Sequence, residues 1–259
     1  MDAAYCQQYR RCYQEHWWWR AREATITRVL RRHSPPTGWR TVLDVGCGDG
    51  LLFDRLSEIA EQVEGVEPDT RLLDPDGFHR DRIHVTPFDD SFQPGKRYDL
   101  ILMLDVVEHL PEPVEALRHA RRLLAPGGFL VITVPAFMLL WTNHDRVNEH
   151  RIRYTRQTFA AIAREAGLRI ATQRYLFQWT FAAKLLQHLF EPWTNAPAST
   201  PSIPPAWLNS ALLQWSKLEN RIASRLPIPF GSSLLVIAHA GVDCERQAEP
   251  RARAATLSR

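Results

Sequence analysis

Residues Thr41–Leu52 read TVLDVGCGDGLL: an apolar run, an acid, three glycines in five residues, a second acid and an apolar restart. A strand that enters a glycine turn and leaves as a helix is the opening unit of a doubly wound α/β sheet. Ligands of such sheets sit beyond the carboxyl ends of the strands. Gly46 and Gly48 fit a dinucleotide turn, but the third glycine of G-x-G-x-x-G is replaced by Leu51, and a glycine stands at Gly50 instead. Asp44 and Asp49 flank the turn and would repel a pyrophosphate, which prefers bare amides at a helix start. A cationic nucleoside with an amino-acid tail is better matched to those acids. No Gly-Lys-Ser/Thr follows, which excludes a Walker loop.

Outward from this turn, apolar runs of strand length alternate with helical patterns. The strands read as Thr41–Val45, Gln62–Glu67, Arg82–Thr86, Tyr98–Leu104 and Phe129–Val134, with further candidates in GLRIATQRY (167–175) and SSLLVIAHA (232–240). Helices read as 3–33, Leu51–Ala60, Val114–Leu124 and Thr155–Ala166, with Gly127 and Gly128 closing the third after Pro126. Runs such as LILML and FLVITV are continuously apolar, so both of their faces are buried, as in a parallel sheet covered by helices. The expected fold is α/β: a doubly wound, mostly parallel seven-stranded sheet of Rossmann-like type. An N-terminal helical cap (1–40) and a helical insertion before the last strand (176–231) complete one domain over 1–240, and 241–259 read as a disordered tail.

The chain has 259 residues, 24% of them charged, and a net charge of +3. That balance is too weak and too dispersed to imply nucleic acid. Cys6, Cys12, Cys47 and Cys244 form no C-x-x-C pair, so neither a zinc motif nor a redox motif is expected. The N-terminus lacks an apolar signal region and no run of 18 apolar residues occurs, so a cytoplasmic location is expected. Nine tryptophans include the consecutive Trp17, Trp18 and Trp19, read first as anchors of the N-terminal helix.

VLDVGCGDG resembles motif I of the class I S-adenosylmethionine-dependent methyltransferases. The likeness continues through VEGVEPD, YDLILMLDVVEHLPEP and LRHARRLLAPGGFLVITVP, covering roughly residues 40–170. It implies S-adenosyl-L-methionine as cofactor. Asp44, Gly46, Cys47 and Gly48 would line its methionine end, with Asp49 and Gly50 close by. Glu67, followed by Pro68, would hold the ribose, and Asp105 stands at the end of the fourth strand. An acid after the third strand would meet adenine: Asp89 is preferred, with Asp90 as the alternative.

The acceptor side is expected in the loop after the fifth strand, PAFMLLWTNHDRVNEHRIRYT, which carries His144, Asp145, His150, Arg151, Arg153 and Tyr154. This pattern, with the N-terminal tryptophans, is similar to a bacterial subgroup of the same methyltransferases. His144, Asp145, His150 and His109 are the candidates for acid–base work. Trp18, Trp141, Arg153 and Tyr154 are the candidates for acceptor contacts. Glu108, His109, His144, Asp145 and His150 also carry a divalent-metal reading, but ligands scattered over two loops are weak evidence and no metal is expected. The implied partner is a small-molecule acceptor, partly hydrophobic or linked to lipid or saccharide. A cofactor-binding regulatory protein of the same fold is the alternative. Residues 176–193 are too short and too polar to span a bilayer, but their aromatics suit a lid or a peripheral membrane contact. In the helix 207–225, Leu208, Leu212, Trp215 and Ile222 are expected to face inward.

Overall fold

The computed structural model describes residues 3–194, 202–223 and 225–241, and side chains from residue 8 to residue 190 and again over the later segments. Much of the Pro/Ser-rich loop and nearly all of the expected tail lie outside the described residues.

Seven strands form one sheet in the order β3-β2-β1-β4-β5-β7-β6. They are β1 (Trp39–Val45), β2 (Ala60–Val66), β3 (Ile83–His84), β4 (Tyr98–Leu104), β5 (Leu124–Pro135), β6 (Leu168–Leu176) and β7 (Ser233–Ala240). β1 to β5 are mutually parallel, while β7 runs antiparallel between β5 and β6. The continuous apolar runs are explained by burial on both faces. Along β4, Ile101 and Met103 join one core with Leu117 and Phe159, while Leu100 and Leu102 join the other with Ile26, Leu30 and Phe53. Strand order reverses between β1 and β4, which opens a crevice beside the glycine turn.

Eight helices flank the sheet among the described residues: α1 (Ala3–Glu15), α2 (Trp17–His33), α3 (Phe53–Ser57), α4 (Pro113–Leu123), α5 (Asn143–Val147), α6 (Arg156–Glu165), α7 (Gln178–Thr194) and α8 (Ala206–Ala223). The expected helix 3–33 is broken at His16, whose ring nitrogen accepts from Trp18 N at 3.1 Å and so caps α2. Helix α4 ends at Leu123, ahead of the two glycines, because the chain is already extended at Leu124 and pairs with β4 from there.

Helix α8 turns a different face inward from the one its leucines suggested. Trp215 and Ile222 are exposed, and Leu208 and Leu212 are half-buried. The buried positions are Asn209, Leu213, Ser216 and Asn220. Their polar groups satisfy backbone and side-chain partners on the neighbouring elements. Asn209 Oδ1 accepts from Trp17 N at 2.8 Å, and its amide donates to Glu15 O at 2.8 Å. Asn220 Oδ1 accepts from Phe177 N at 3.3 Å, and its amide donates to Thr25 Oγ1 at 3.2 Å. These bonds fasten the insertion to α2 and to the end of β6.

Asn220→Ala strips partners from a buried amide and a buried hydroxyl, so a loss of about 1–3 kcal/mol is expected. It should appear as a lower urea midpoint at unchanged m-value. Trp215→Ala, on the exposed face, should stay within about 0.5 kcal/mol of the parent. The opposite ranking would restore the leucine face as the inward one.

Candidate functional site: the carboxyl edge of the sheet

The glycine turn leaves β1 through three left-handed residues, Gly46 (φ 69°), Gly48 (φ 53°) and Gly50 (φ 71°). A Cβ on Gly46 would lie 2.6 Å from Val106 Cγ2, so that position is fixed by space as well as by backbone. The carboxylate of Glu67 closes the turn from β2: it accepts from Gly48 N and from Asp69 N, both at 2.9 Å. Burial raises the Glu67 pKa, while these two backbone donors oppose the rise. Each oxygen keeps a further lone pair for an incoming hydroxyl.

Asp44 is buried at the end of β1. Burial lifts its pKa to about 7; nearby Arg22 opposes the shift and Glu67 adds to it. Cys47 turns inward instead. Its sulfur occupies the space a Cβ on Gly65 would need, and burial pushes its thiol up. Asp49 also faces away from the crevice: it accepts from Asp74 N at 2.9 Å and pairs with Arg10. Pro68 is exposed.

The acids after β3 are both exposed. Asp89 is folded back on its own turn, accepting from Ser91 N at 2.9 Å and Ser91 Oγ at 2.6 Å. Asp90 pairs with Arg122 of α4. Neither carboxylate is aimed into the crevice by a partner in the structure.

Asp105 follows β4 with φ 58°. It accepts from Thr133 Oγ1 at 3.0 Å and pairs with Arg22 at 2.8 Å. Arg22 is buried, reaches down from α2, and places its guanidinium 5.7 Å from the Trp18 ring centre. Tyr9 of α1 comes within 3.8 Å of the Cβ position on Gly48. Burial raises its phenol to about 12, with Arg22 opposing. Tyr9 and Arg22 were not singled out from sequence. The only available signal was the spacing of Trp18 and Arg22, four apart on one helix face.

The acceptor loop packs onto the turn after β4. Arg151 N donates to Glu108 O at 2.8 Å, and Arg151 Nε donates to His109 O at 3.1 Å. Thr142 and Asp145 form the capping box of α5. Asp145 is fully buried and accepts from His150 Nδ1 at 2.8 Å. Burial works to raise the Asp145 pKa, but hydrogen bonds from His150 and Arg153 override it and hold the acid well below the carboxylate range. His150 in turn meets His109 edge to face, with ring centres 4.9 Å apart. Burial, then neighbouring His150, lowers His109 to about 4. Glu108 is fully buried beside them, and neither of its carboxylate oxygens has a hydrogen-bond partner.

Four loop candidates take other positions. His144 points at Asn148, whose side-chain nitrogen lies 3.1 Å from Nε2, and burial with nearby Lys184 lowers it to about 3. Arg153 does not face an acceptor. It is buried, donates to both Asp145 oxygens at 2.8 and 2.9 Å, and donates to Ala136 O at 3.2 Å. Tyr154 lies in the core against Phe159, where burial and then Glu108 raise its hydroxyl to about 12. Trp141 is half-buried, and its carbonyl lies 2.7 Å from His188 Nδ1 of α7, which seats α7 on this loop.

All four non-glycine residues with positive φ among those described follow strands β4, β5 and β6 or lie in this loop: Asp105, Phe137, Glu149 and Phe177. Such strain persists only where surrounding structure over-determines it, and it gathers at functional sites.

Comparison with known proteins places the chain among methyltransferase-domain proteins. Residues 18–173 match a methyltransferase-domain family. The ubiquinone biosynthesis O-methyltransferase of Bradyrhizobium diazoefficiens is 33% identical over 101 residues, 37% of this chain and 40% of that protein. The protein of the same name from Cereibacter sphaeroides is 32% identical over 114 residues, 42% of this chain and 46% of that one. The chain thus spans less than half the length of these curated relatives. Among solved structures, a methyltransferase in complex with the Haloferax volcanii Trm112 activator superposes with a TM-score of 0.56 at 17% identity, over 92% of this chain and 97% of that one. The cyclase SpnF gives 0.52 at 19% identity, over 84% and 80%. At such identities the likeness establishes the fold alone, and a cyclase among the neighbours shows why fold does not fix the reaction. The family match goes further: the chain belongs to the methyltransferase-domain family.

Proposed function

We propose that the chain transfers a methyl group from S-adenosylmethionine to a hydroxyl oxygen of a small, partly hydrophobic acceptor. The observation that carries this reading is the His150–Asp145 pair on the loop after β5. An ionised carboxylate only accepts, so His150 Nδ1 carries a proton, and in the neutral ring Nε2 holds the free lone pair. That is the arrangement a hydroxyl acceptor needs: an oriented imidazole able to take its proton as the oxygen attacks. The names of the curated relatives, which are O-methyltransferases, favour oxygen over nitrogen for this chain.

Bound S-adenosylmethionine supplies a methyl group already activated on a sulfonium. The protein's task is then to orient and to exclude water. Glu67 would hold the ribose hydroxyls, and Gly46 and Gly48 would let the backbone approach the methionine end. Asp44 and Asp105 would face its positive charge, with Arg22 able to meet its carboxylate. Tyr9 and Trp18 would cover the cleft from the N-terminal cap. A hydrophobic acceptor is supported by α7, which exposes Leu186, Leu189 and Phe190 and seats on the acceptor loop through His188. No helix among the described residues is long and apolar enough to cross a membrane, so any contact of α7 and α8 with lipid would be interfacial.

Formation of S-adenosylhomocysteine should be measured against a panel of hydroxyl and amine acceptors, polar and hydrophobic. Turnover with at least one hydroxyl compound is expected. Cofactor binding without turnover on any acceptor would favour a regulatory protein instead. On a productive acceptor, His150→Ala should lower kcat by roughly 10²–10⁴-fold with little change in cofactor affinity. Unchanged kcat would remove the imidazole from the mechanism.

Asp44 gives a pH test. Its carboxyl, at about 7, is partly protonated in the free protein. A cationic ligand binds its ionised form, so binding lowers that pKa and releases a proton. Cofactor affinity should therefore rise from pH 6 to pH 8, with calorimetric proton release at pH 6 that fades by pH 8. Asp44→Asn should flatten both. Equal pH dependence in parent and variant would place the cationic end elsewhere.

A further inference from the structure

We propose that Glu108, His109 and His150 form a binding site for a divalent cation of the zinc and manganese type. One ligand atom from each residue lies within 4.8 Å of the others. A tetrahedral ion held at roughly 2.0–2.2 Å from its nitrogen and oxygen ligands sets them about 3.4 Å apart, so the three side chains would close inward to share one. Two imidazoles and one carboxylate suit zinc, manganese or iron better than magnesium or calcium.

Two further observations point to a ligand. Glu108 is fully buried, yet both its oxygens lack partners. Buried carboxyl groups are normally paired, and an unpaired one invites either protonation or a cation. The histidines are also prepared as ligands. The bond from His150 Nδ1 to Asp145 leaves Nε2 as the nitrogen open to an ion, the carboxylate–histidine–metal arrangement that fixes tautomer and ring angle. His109 is oriented by a hydrogen bond to the Glu149 backbone. Glu149 itself holds a left-handed φ of 58°, and Arg151 clamps the loop onto the backbone of both Glu108 and His109. The two segments that sequence left as separate loops are thus joined by main-chain bonds. Of the five residues in the sequence-level metal reading, His144 is turned to Asn148 and Asp145 is saturated by Arg153, Thr142 and His150, which leaves these three.

Three ligands leave coordination positions open. On the methyl-transfer reading, and only there does this site rest on it, an acceptor hydroxyl fills one. The cation would then take over from the free imidazole the task of acidifying that hydroxyl, whose proton passes to water.

The full chain, stripped with EDTA and dialysed, should be titrated with Zn²⁺ and with Mn²⁺ in the absence of cofactor and acceptor. One ion per chain is expected, with at least tenfold weaker binding in Glu108→Gln and in His150→Ala and no change in His144→Ala. Glu108→Gln removes a buried unpaired acid. Its metal-free form should therefore melt no lower than the metal-free parent, and Zn²⁺ should raise the melting temperature of the parent but not of the variant. Co²⁺ in the unmutated chain should give visible d–d bands, a readout that needs no variant to fold. No stoichiometric uptake, or uptake unchanged in both ligand variants, overturns the site. Stoichiometric uptake in a chain that methylates nothing leaves the site standing and removes the proposed function instead.

Discussion

The carboxylate of Glu67, shared between Gly48 N and Asp69 N, ties the turn after β1 to the end of β2. Everything at the carboxyl edge is arranged around that tie. Three successive left-handed glycines can run the chain out of β1 only if something holds the turn in place. A buried carboxylate accepting two backbone donors does so with charge-assisted bonds. The same group then stands ready, with unused lone pairs, at the height where a ligand on the turn would present hydroxyls. On the proposed function, structure and binding would be one interaction here, which would account for an acid rather than an amide or an apolar residue at the end of this strand.

The two halves of the site are built differently. The half proposed for the cofactor is mostly backbone: glycine conformations, strand ends, and the N-terminal cap lowering Arg22 and Tyr9 onto them. The half proposed for the acceptor is a network of buried side chains centred on Asp145. Removing one partner of a buried ion pair such as Asp145–Arg153 leaves an uncompensated charge and typically destabilises by about 3–5 kcal/mol. That sets the shape of the loop firmly and leaves His150, His109 and Glu108 as its chemically available face. Helix α7 seals the far side through His188, and α8 holds the cap through Asn209 and Asn220, so the insertion braces both halves.

Much of the framework was legible in the sequence because its signals are strong and local. The apolar runs of β1, β4, β5 and β7 can only be two-sided strands, and Glu67 stands at a strand end beside a glycine turn. The failures are long-range or polar. No hydrophobic pattern reveals that Asn209, Ser216 and Asn220 face inward, since they are buried by their hydrogen bonds and not by their apolarity. The sequence could place His144, Asp145 and His150 on one loop but could not show which imidazole the aspartate orients. Arg153 was read as an acceptor contact from its place in the loop pattern, whereas here its donors go to Asp145 and Ala136. Glu108 was read only as one of five scattered metal-ligand candidates, and only the folded loop reveals it as fully buried with neither oxygen hydrogen-bonded. Tyr9 and Arg22 reach the site from two helices, at positions more than twenty residues ahead of the glycine turn, and no spacing rule spans that distance.

A structure of the protein with S-adenosylhomocysteine tests the central claim most directly. The account expects the ribose hydroxyls on the Glu67 carboxylate and the homocysteine end over Gly46 and Gly48, roofed by Tyr9. An adenosyl group lodged away from Glu67, or a crevice that instead takes the diphosphate of a dinucleotide on that turn, would contradict it.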